Sequence, residues 1–286
     1  MSLPAAALPE RKGKGMKDLN GKVVLISGAA RGMGKLHALS FAREGCRVIL
    51  TDLDEAELRK AADEMKEAGY DVYAYTQDIS SREACFKLAE KVADEVGSVD
   101  VLVNNAAIAT NETVLETSES AYRRIVDVNY LGQIWMLQAF VPEMVRRGSG
   151  HVVNICSMAG KVAVPNLGPY CATKFAFVGI TDSLRQELKG TGVRFTIVNP
   201  GYISTGMFEG SKPPFITRWQ DPQRVTDALL DAVKKNKAEV FLPHFIGWLC
   251  GFSRGLGMPR FVDVVFRFLG ANRSFASMYK ERGRPF

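Results

Sequence analysis

The sequence predicts an α/β protein built on one doubly wound parallel sheet of about seven strands, with helices on both faces and a C-terminal helical extension. Seven short apolar runs, rich in β-branched residues, alternate with longer stretches of helical periodicity along the 286 residues. Uninterrupted apolar runs are typical of strands buried on both faces, as in parallel sheets. The 47% hydrophobic and 24% charged content is ordinary for a globular protein.

Each apolar run predicts a strand, and each interval between runs predicts a helix that crosses to the next strand. The predicted strands are 22–27, 46–52, 71–77, 99–105, 151–156, 193–199 and 238–243. The predicted helices are 32–44, 54–68, 81–96, 118–147, 170–189 and 221–236. We expect one domain over 20–245, a mobile basic tail over 1–19, and an apolar and basic helical extension of the same domain over 246–286.

Composition excludes several classes of protein. No apolar run reaches the roughly 18 residues of a membrane-spanning helix, and the N-terminus has its apolar and basic residues in the reverse order of a secretory signal. The five cysteines and three histidines show no metal-ligand spacing, so we predict no metal site and a reducing, cytoplasmic location. The two ends, 1–22 and 251–286, together carry +8 and the rest of the chain carries −2, which gives the net charge of +6. This placement argues against nucleic-acid binding and leaves an anionic membrane surface open.

The first strand is followed by a glycine-rich turn, GAARGMG, with Gly28, Gly32 and Gly34 before a helix that opens at about Met33. Glycine permits a tight turn and a close approach of the backbone to a pyrophosphate, whose charge is met by the amides of the helix N-terminus. The placement of the turn between a strand and a helix predicts a dinucleotide site.

Asp52 ends the second predicted strand, where the ribose of a bound dinucleotide would lie. A carboxylate there accepts hydrogen bonds from the 2′ hydroxyl and repels a 2′ phosphate, which favours NAD over NADP. Arg31 in the glycine turn could instead meet a phosphate. Asp52 could also serve only as a helix cap, but Asp54 can fill that role.

The strand 151–156 leads to Ser157, and the helix beyond it carries Tyr170 and Lys174 four residues apart on one face. The pKa of a free tyrosine lies near about 10, and a neighbouring cation favours the phenolate. Ser157 could hold a substrate oxygen while Tyr170 exchanges its proton. A Tyr-x-x-x-Lys pair also occurs by chance in many helices, so its weight depends on the other motifs.

Several motifs together resemble the short-chain dehydrogenase/reductase family over about 20–245. They are SGAARGMG, NNAA at 104–107, Asn129 within DVNY, Asp78 in QDIS, PGYIST at 200–205, and the set Ser157, Tyr170 and Lys174. The resemblance implies an NAD(P)-binding Rossmann-type catalytic domain with strand order 3-2-1-4-5-6-7. It also implies a homodimer or homotetramer, because family members commonly pair the helices that correspond to 118–147 and 170–189.

The resemblance also implies a role for each matching residue. Tyr170 is the general acid/base, Lys174 lowers its pKa and binds the nicotinamide ribose, and Ser157 polarises the reacting oxygen. Asn129 interrupts a helix so that its backbone carbonyl positions a water linked to Lys174. The implied cofactor-binding residues are Gly28, Arg31, Gly32, Met33, Gly34, Asp52, Asp78, Ile79, Asn105, Ala106, Tyr170, Lys174, Pro200, Gly201, Ile203 and Thr205.

Apolar side chains near these motifs predict a lipophilic substrate. They are Met207, Phe208, Phe215 and Trp219 in an expected lid over about 203–220, with Val162, Val164, Leu167 and the loop Ala106–Ala109. Pro259 opens a further helix-like segment, with Phe261, Val264, Val265, Phe268 and Leu269 on one face. That helix could cap the substrate mouth, pack into a partner subunit or lie in a membrane interface.

The whole pattern is similar to the branch of the family that contains retinol dehydrogenases and 17β-hydroxysteroid dehydrogenases. The sequence lacks the N-terminal hydrophobic anchor of those proteins, so we expect at most a peripheral membrane contact. We predict NAD-linked interconversion of a lipophilic alcohol and its ketone or aldehyde. The alternatives are an NADP-dependent ketone reductase and a noncatalytic Rossmann protein that senses dinucleotides or binds lipid.

Overall fold

The structure is a computed structural model that describes residues 15–208, 210–214 and 217–245, together with 247, 264, 267, 268, 270, 274 and 275. The strands are β1 (Val23–Ser27), β2 (Arg47–Asp52), β3 (Val72–Thr76), β4 (Val101–Asn104), β5 (Gly150–Ile155), β6 (Val193–Pro200) and β7 (Glu239–Leu242). The helices are α1 (Gly32–Arg43), α2 (Glu55–Glu67), α3 (Arg82–Glu95), α4 (Glu119–Val126), α5 (Gly132–Arg147), α6 (Gly168–Glu187) and α7 (Pro222–Lys235).

All seven strands form one parallel sheet in the order β3-β2-β1-β4-β5-β6-β7. This order confirms the doubly wound fold expected from the sequence. The direction of winding reverses between β1 and β4, and ligands of such sheets bind outside the carboxyl ends of the strands at this point. The strand order therefore places the glycine turn after β1 beside the loop after β4.

Each face of the sheet is covered by three helices. In β1, Val24 and Ile26 join the core formed with α1, α2 and α7, whereas Val23 and Leu25 join the core formed with α3, α5 and α6. Successive strand residues point to opposite faces, so a strand covered on both sides must be apolar throughout. This is the physical reason for the uninterrupted apolar runs in the sequence.

The stretch predicted as one helix over 118–147 is divided. A π-helical turn, Asp127–Leu131, separates α4 from α5, and Asn129 lies in its centre, fully buried. Such turns occur frequently at functional sites because they widen the helix and redirect a side chain. The helix is interrupted at Asn129, as the family resemblance implied, although the hydrophobic periodicity alone did not reveal it. The role of the Asn129 backbone carbonyl stays a prediction.

The predicted tail over 1–19 and extension over 246–286 fall largely outside the described residues. Within the extension, Val264 and Phe268 are helical and exposed, and Phe275 is buried. Phe215, Pro259, Phe261, Val265 and Leu269 lie outside the described residues. In the part of the chain that the structure describes, no helix has the length and apolar character needed to cross a bilayer.

Candidate active site

A cavity of about 1360 Å³ opens at the carboxyl ends of the central strands. Its volume exceeds the roughly 300–1000 Å³ of common small-molecule pockets. Every site residue predicted from the sequence except Asn129 lines it. The cavity is also lined by five residues that were not predicted, namely Leu53, Ser120, Arg123, Arg124 and Asp127. The amphipathic pattern of α4 was the signal for Ser120, Arg123 and Arg124, and the DVNY motif contains Asp127.

The glycine turn has the geometry that its sequence predicted. Gly28 and Gly32 adopt positive φ angles of +67° and +57°, which L side chains rarely adopt. A Cβ atom on Gly34 would lie 2.0 Å from the Gly28 carbonyl oxygen, so only glycine permits α1 to pack this closely on β1. No side chain caps α1, and its first turn holds no acidic residue. The amides at its N-terminus therefore remain available for an anion.

Asp52 organises the next turn of the cavity. Its two carboxylate oxygens accept hydrogen bonds from the backbone amides of Ala30 and Asp54, each at 3.1 Å. Asp54, not Asp52, caps α2 by accepting from the Glu57 amide. The guanidinium of Arg31 lies 3.8 Å from the Asp54 carboxylate and is largely exposed. The Asp52 carboxylate thus lies at the end of the cavity where the ribose is predicted to bind. The nearby Arg31 guanidinium forms a long ion pair with Asp54.

The NNAA motif ties the loop after β4 to the glycine turn. The Asn105 side-chain amide donates to the carbonyl oxygens of Ser27 and Gly28, and the Ser27 hydroxyl accepts from the Asn105 backbone amide. Asn104 donates in turn to Asn154 on β5. The bond between Asn104 and Asn154 is buried and the bonds of Asn105 are partly buried. Together they fix the relative positions of the two loops that flank the switch point.

Ser157, Tyr170 and Lys174 converge on the other end of the cavity. Ser157 follows β5 and caps a short 3-10 helix, Met158–Gly160, by accepting from the Ala159 amide at 3.1 Å. Tyr170 and Lys174 lie on the first turns of α6 and are 4% and 3% exposed. The Lys174 ammonium donates to the Ile155 carbonyl oxygen at 2.9 Å and lies 5.6 Å from the centre of the Tyr170 ring.

The burial of these groups determines their protonation. Burial raises the pKa of Tyr170 above its ordinary value, and the nearby Ser157 hydroxyl works in the opposite direction. Burial lowers the pKa of Lys174 to about 8. The net shift of the Tyr170 pKa is therefore upward, because desolvation is the largest cause. The lowering of this pKa by Lys174 that the family resemblance implied stays a prediction.

Asn129 lies behind the cavity and does not line it. Its side-chain oxygen accepts from the Ile108 amide and its side-chain nitrogen donates to the Ile108 carbonyl, both at 2.8 Å. The same nitrogen lies 3.3 Å from the Thr173 hydroxyl on α6. The Asn129 side chain therefore joins the loop after β4 to the helix that carries Tyr170 and Lys174.

A second, apolar pocket of about 80 Å³ adjoins Ser157 and Tyr170. Four residues predicted to favour a lipophilic substrate line it, namely Val162, Val164, Leu167 and Phe208. The predicted Met207 and the loop Ala106–Ala109 line the larger cavity instead, and Trp219 lines neither. The apolar pocket is also lined by residues that were not predicted individually, namely Met158, Ala159, Tyr202, Pro214, Thr217, Pro243 and Phe275. Tyr202 lies inside the PGYIST motif, and Pro214 and Thr217 lie inside the expected lid.

Comparisons with known proteins agree with this geometry. The family model described as short chain dehydrogenase matches residues 22–214. Epidermal retinol dehydrogenase 2 of Mus musculus is 38% identical over 239 residues, which cover 82% of this chain and 77% of that protein. 17-beta-hydroxysteroid dehydrogenase 13 of Rattus norvegicus is 33% identical over 250 residues, which cover 86% of this chain and 81% of that protein.

Two solved structures share the fold. A short chain dehydrogenase/reductase from Burkholderia phymatum in complex with NAD has a TM-score of 0.73 and 25% identity, covering 78% of this chain and 89% of that one. A metagenomic short-chain oxidoreductase in complex with NADP has a TM-score of 0.69 and 28% identity, covering 78% of this chain and 97% of that one. The sheet order, the glycine turn and the matched sequence span lead to one conclusion: the chain belongs to the short chain dehydrogenase family.

Proposed function

We propose that the protein is an NAD-dependent dehydrogenase that oxidises a lipophilic secondary or long-chain alcohol to its carbonyl compound. One observation carries the proposal: Ser157 and Tyr170 line both the large cavity and the apolar pocket. A substrate in the apolar pocket would therefore present its oxygen to these two hydroxyls at the point where the pocket meets the cofactor cavity. The relatives named for retinol and hydroxysteroids support a lipophilic substrate.

The residues present fit a dinucleotide. The turn at Gly28 and Gly32 and the free amides of α1 would bind the pyrophosphate, and Asp52 would accept from the ribose hydroxyls. Asp78 and Ile79 would flank the adenine, and Thr205 would contact the nicotinamide carboxamide. Bound NAD supplies the hydride acceptor. The named NAD complex of a related structure supports this choice of cofactor.

When an alcohol is oxidised, its carbon loses a hydride and its hydroxyl loses a proton. A proton-accepting group therefore has to lie within hydrogen-bond reach of the alcohol oxygen. Tyr170 fills this role, and Ser157 holds the oxygen in place. Lys174, whose pKa lies at about 8, carries its charge at neutral pH and favours the phenolate form of the neighbouring tyrosine. Asn129 acts through its contacts with Ile108 and α6, which keep the two walls of the site together.

A second candidate function is reduction of a ketone with NADP. Two observations favour it. The exposed Arg31 guanidinium is held only by the 3.8 Å pair with Asp54 and could turn to a 2′ phosphate. Burial shifts the pKa of Tyr170 upward and so favours the protonated phenol, which suits donation to a carbonyl. NADPH and NADH titrations that follow tryptophan fluorescence distinguish the two cofactors.

The experiment that tests the proposal measures NADH appearance at mildly alkaline pH with retinol, hydroxysteroids and long-chain secondary alcohols. We expect Tyr170→Phe to lower the kcat at least about 100-fold without changing NAD affinity, because it removes only the hydroxyl. Tyr70→Phe, remote from the cavity, is the matched control. Equal slow rates in the wild type and Tyr170→Phe, with NAD still bound, would favour the noncatalytic alternative.

We also propose that the protein assembles as a homodimer or homotetramer through α4, α5 and α6, which correspond to the predicted helices 118–147 and 170–189, as the family resemblance implies. Light scattering that gives a monomer mass would contradict this.

Val264 and Phe268 are 64% and 90% exposed, which supports a peripheral contact of the C-terminal segment with lipid. Sedimentation with anionic vesicles tests that contact, and unchanged sedimentation in Phe268→Ser would contradict it.

A further inference from the structure

Four aromatic rings form a continuous row from the proposed catalytic tyrosine to the C-terminal segment. The rings of Tyr170 and Phe208 meet edge to face at 5.7 Å, and those of Phe208 and Phe275 do so at 5.5 Å. The ring of Phe275 then stacks on Tyr202 at 5.7 Å with an interplanar angle of 22°. Aromatic pairs in these geometries stabilise the packing beyond the burial of their area.

Phe275 reaches this row from more than 60 residues beyond Phe208 in the chain. Its side chain is only 3% exposed, and the preceding Ser274 is 1% exposed. The Ser274 carbonyl oxygen accepts from the Lys212 backbone amide at 2.8 Å, inside the expected lid. A backbone bond and two ring contacts thus fix the position of Phe275, although Val264 and Phe268 of the same C-terminal segment are exposed.

The surroundings of Phe275 belong to the substrate end of the site. It lines the apolar pocket together with Ser157 and Tyr170, and it belongs to the buried cluster that contains Leu167 and Tyr170. The pocket measures about 80 Å³, well below the roughly 300 Å³ at the lower end of ligand pockets. Such a space would take a slender alkyl group beside the reacting carbon more readily than a bulky one.

We propose that Phe275 is a specificity-determining residue, whose ring forms a wall of the alcohol pocket and selects slender substituents over bulky ones at the carbinol carbon. The inference rests on the proposed alcohol dehydrogenase activity and deepens it. The ring is a fixed wall because Tyr202 and Phe208 pack against it from two sides. Removal of the ring would enlarge the apolar pocket and leave Ser157, Tyr170 and Lys174 in place.

The test compares two secondary alcohols of similar polarity, the linear 2-octanol and the bulky cyclododecanol, with NAD as cofactor. We expect the wild type to prefer 2-octanol. Phe275→Ala should raise the ratio of kcat/KM for cyclododecanol to kcat/KM for 2-octanol at least about tenfold, the effect of a group of methylene size or more in an apolar pocket. Phe268→Ala, the same substitution at an exposed position of the same segment, is the matched control and should leave the ratio unchanged.

A second readout does not depend on turnover. The affinities for cyclododecanone and 2-octanone are measured from the fluorescence of the three tryptophans, one of which, Trp219, meets the Tyr202 ring at 6.3 Å. Phe275→Ala should tighten binding of the cyclic ketone selectively. Phe275→Leu, which keeps an apolar side chain of intermediate size, gives a smaller shift of the same sign and covers the case in which Phe275→Ala unfolds.

The two measurements separate the inference from the function on which it rests. Turnover of both alcohols with an unchanged ratio in folded Phe275→Ala and Phe275→Leu would overturn the role of Phe275 and leave the dehydrogenase proposal standing. Selective tightening for the cyclic ketone without any turnover would support Phe275 as the pocket wall and contradict the alcohol dehydrogenase. Equal shifts in Phe268→Ala and Phe275→Ala would also overturn the inference.

Discussion

The two ends of the site are built by different means. At the dinucleotide end, the backbone of one compact stretch forms the site: Gly28 and Gly32 adopt positive φ, Gly34 allows contact with β1, and Asp52 bonds two backbone amides. At the alcohol end, side chains from distant segments form it, and Phe275 completes an aromatic row that starts at Tyr170. Local backbone geometry tolerates almost no substitution, whereas a packed apolar wall can change its shape by exchange of one side chain.

This difference assigns separate tasks to the two ends. The turn after β1 suits the pyrophosphate of the dinucleotide, which is the same whatever the substrate, because the geometry of the turn is fixed by its own backbone. The apolar wall can adapt to different substrates without disturbing the sheet, since its residues come from loops and from the C-terminal segment. Lys174 lies where the two ends meet and contacts both the β5 backbone and the Tyr170 ring.

The largest expected effect is therefore at Lys174. We expect Lys174→Met to lower kcat/KM by about 1000-fold, because the site loses the cation beside Tyr170. The same change should stabilise the protein at pH 7 by on the order of 1–3 kcal/mol, since burial penalises the ammonium. Urea unfolding of both proteins at several pH values measures the second effect.

The sign of the pH dependence follows from the lowered pKa. Between pH 8 and about 10.5 the unfolded chain binds a proton at Lys174 that the folded protein has released, so the free energy of unfolding of the wild type rises with pH. The advantage of Lys174→Met should shrink across this window. A constant difference in stability from pH 7 to 10.5 would show that the Lys174 ammonium is not desolvated.

A smaller effect is expected when the backbone geometry of the dinucleotide end is broken. Gly34→Ala places a Cβ atom 2.0 Å from the Gly28 oxygen and 2.8 Å from the Asn105 amide nitrogen. Strain of this kind costs about 1–3 kcal/mol, so we expect the Kd for NAD to rise roughly 10- to 100-fold. Calorimetric titration with NAD measures it.

Gly179 provides the control for that change. It lies in α6 with no atom within 4 Å of a built Cβ. Gly179→Ala should leave NAD binding unchanged and stabilise the helix by about 0.5–1 kcal/mol. If Gly34→Ala bound NAD as tightly as Gly179→Ala does, the close approach of α1 to β1 would not be required for the dinucleotide.

The charge at the ribose end should have a more modest effect. We expect Asp52→Asn to reduce the preference for NAD over NADP about tenfold, because the repulsion of a 2′ phosphate is removed. Asp54→Asn keeps a side-chain oxygen for the cap of α2 but removes the charge that holds Arg31. Asp54→Asn should improve the binding of NADP and leave the binding of NAD unchanged. If both variants kept the wild-type ratio of KM values for NAD and NADP, these charges would not select the cofactor.

The same contrast explains what the sequence could predict. The strand runs were correct because they depend on a local pattern: strands covered on both faces are apolar throughout. The family resemblance indicated the order of the sheet, which the structure confirms, and the spacing of the glycines indicated the tight turn after β1. The roles of the dinucleotide residues stay predictions. The π-helical turn at Asn129 was missed by periodicity, since one extra residue in a turn leaves the apolar pattern of 118–147 nearly intact. Only the resemblance of DVNY to a family motif indicated it.

At the alcohol end, the sequence predicted the apolar character of the pocket but not all of the residues that line it. Apolar residues at Val162, Val164, Leu167 and Phe208 indicated a lipophilic pocket, and the structure places them there. Phe275 had no signal, because nothing in a linear sequence shows that a phenylalanine more than 100 residues after Tyr170 packs into the same cluster. The upward shift of the Tyr170 pKa was also unpredictable, since it depends on how completely the folded chain removes water from the ring.

The smallest expected effect concerns Cys156, which lies beside Ser157 and lines the large cavity. The thiol is 2% exposed, and burial raises its pKa to about 12, so almost no thiolate exists at pH 8. We expect Cys156→Ala to change kcat/KM less than about threefold and to destabilise the fold by about 1 kcal/mol. Iodoacetamide should leave Cys156 unmodified in the native protein and alkylate it in urea, as mass spectrometry of the digested chain would show. Rapid native alkylation at Cys156 would mean that the alcohol end opens far enough to admit water and reagent, in which case its apolar wall could not select substrates by size.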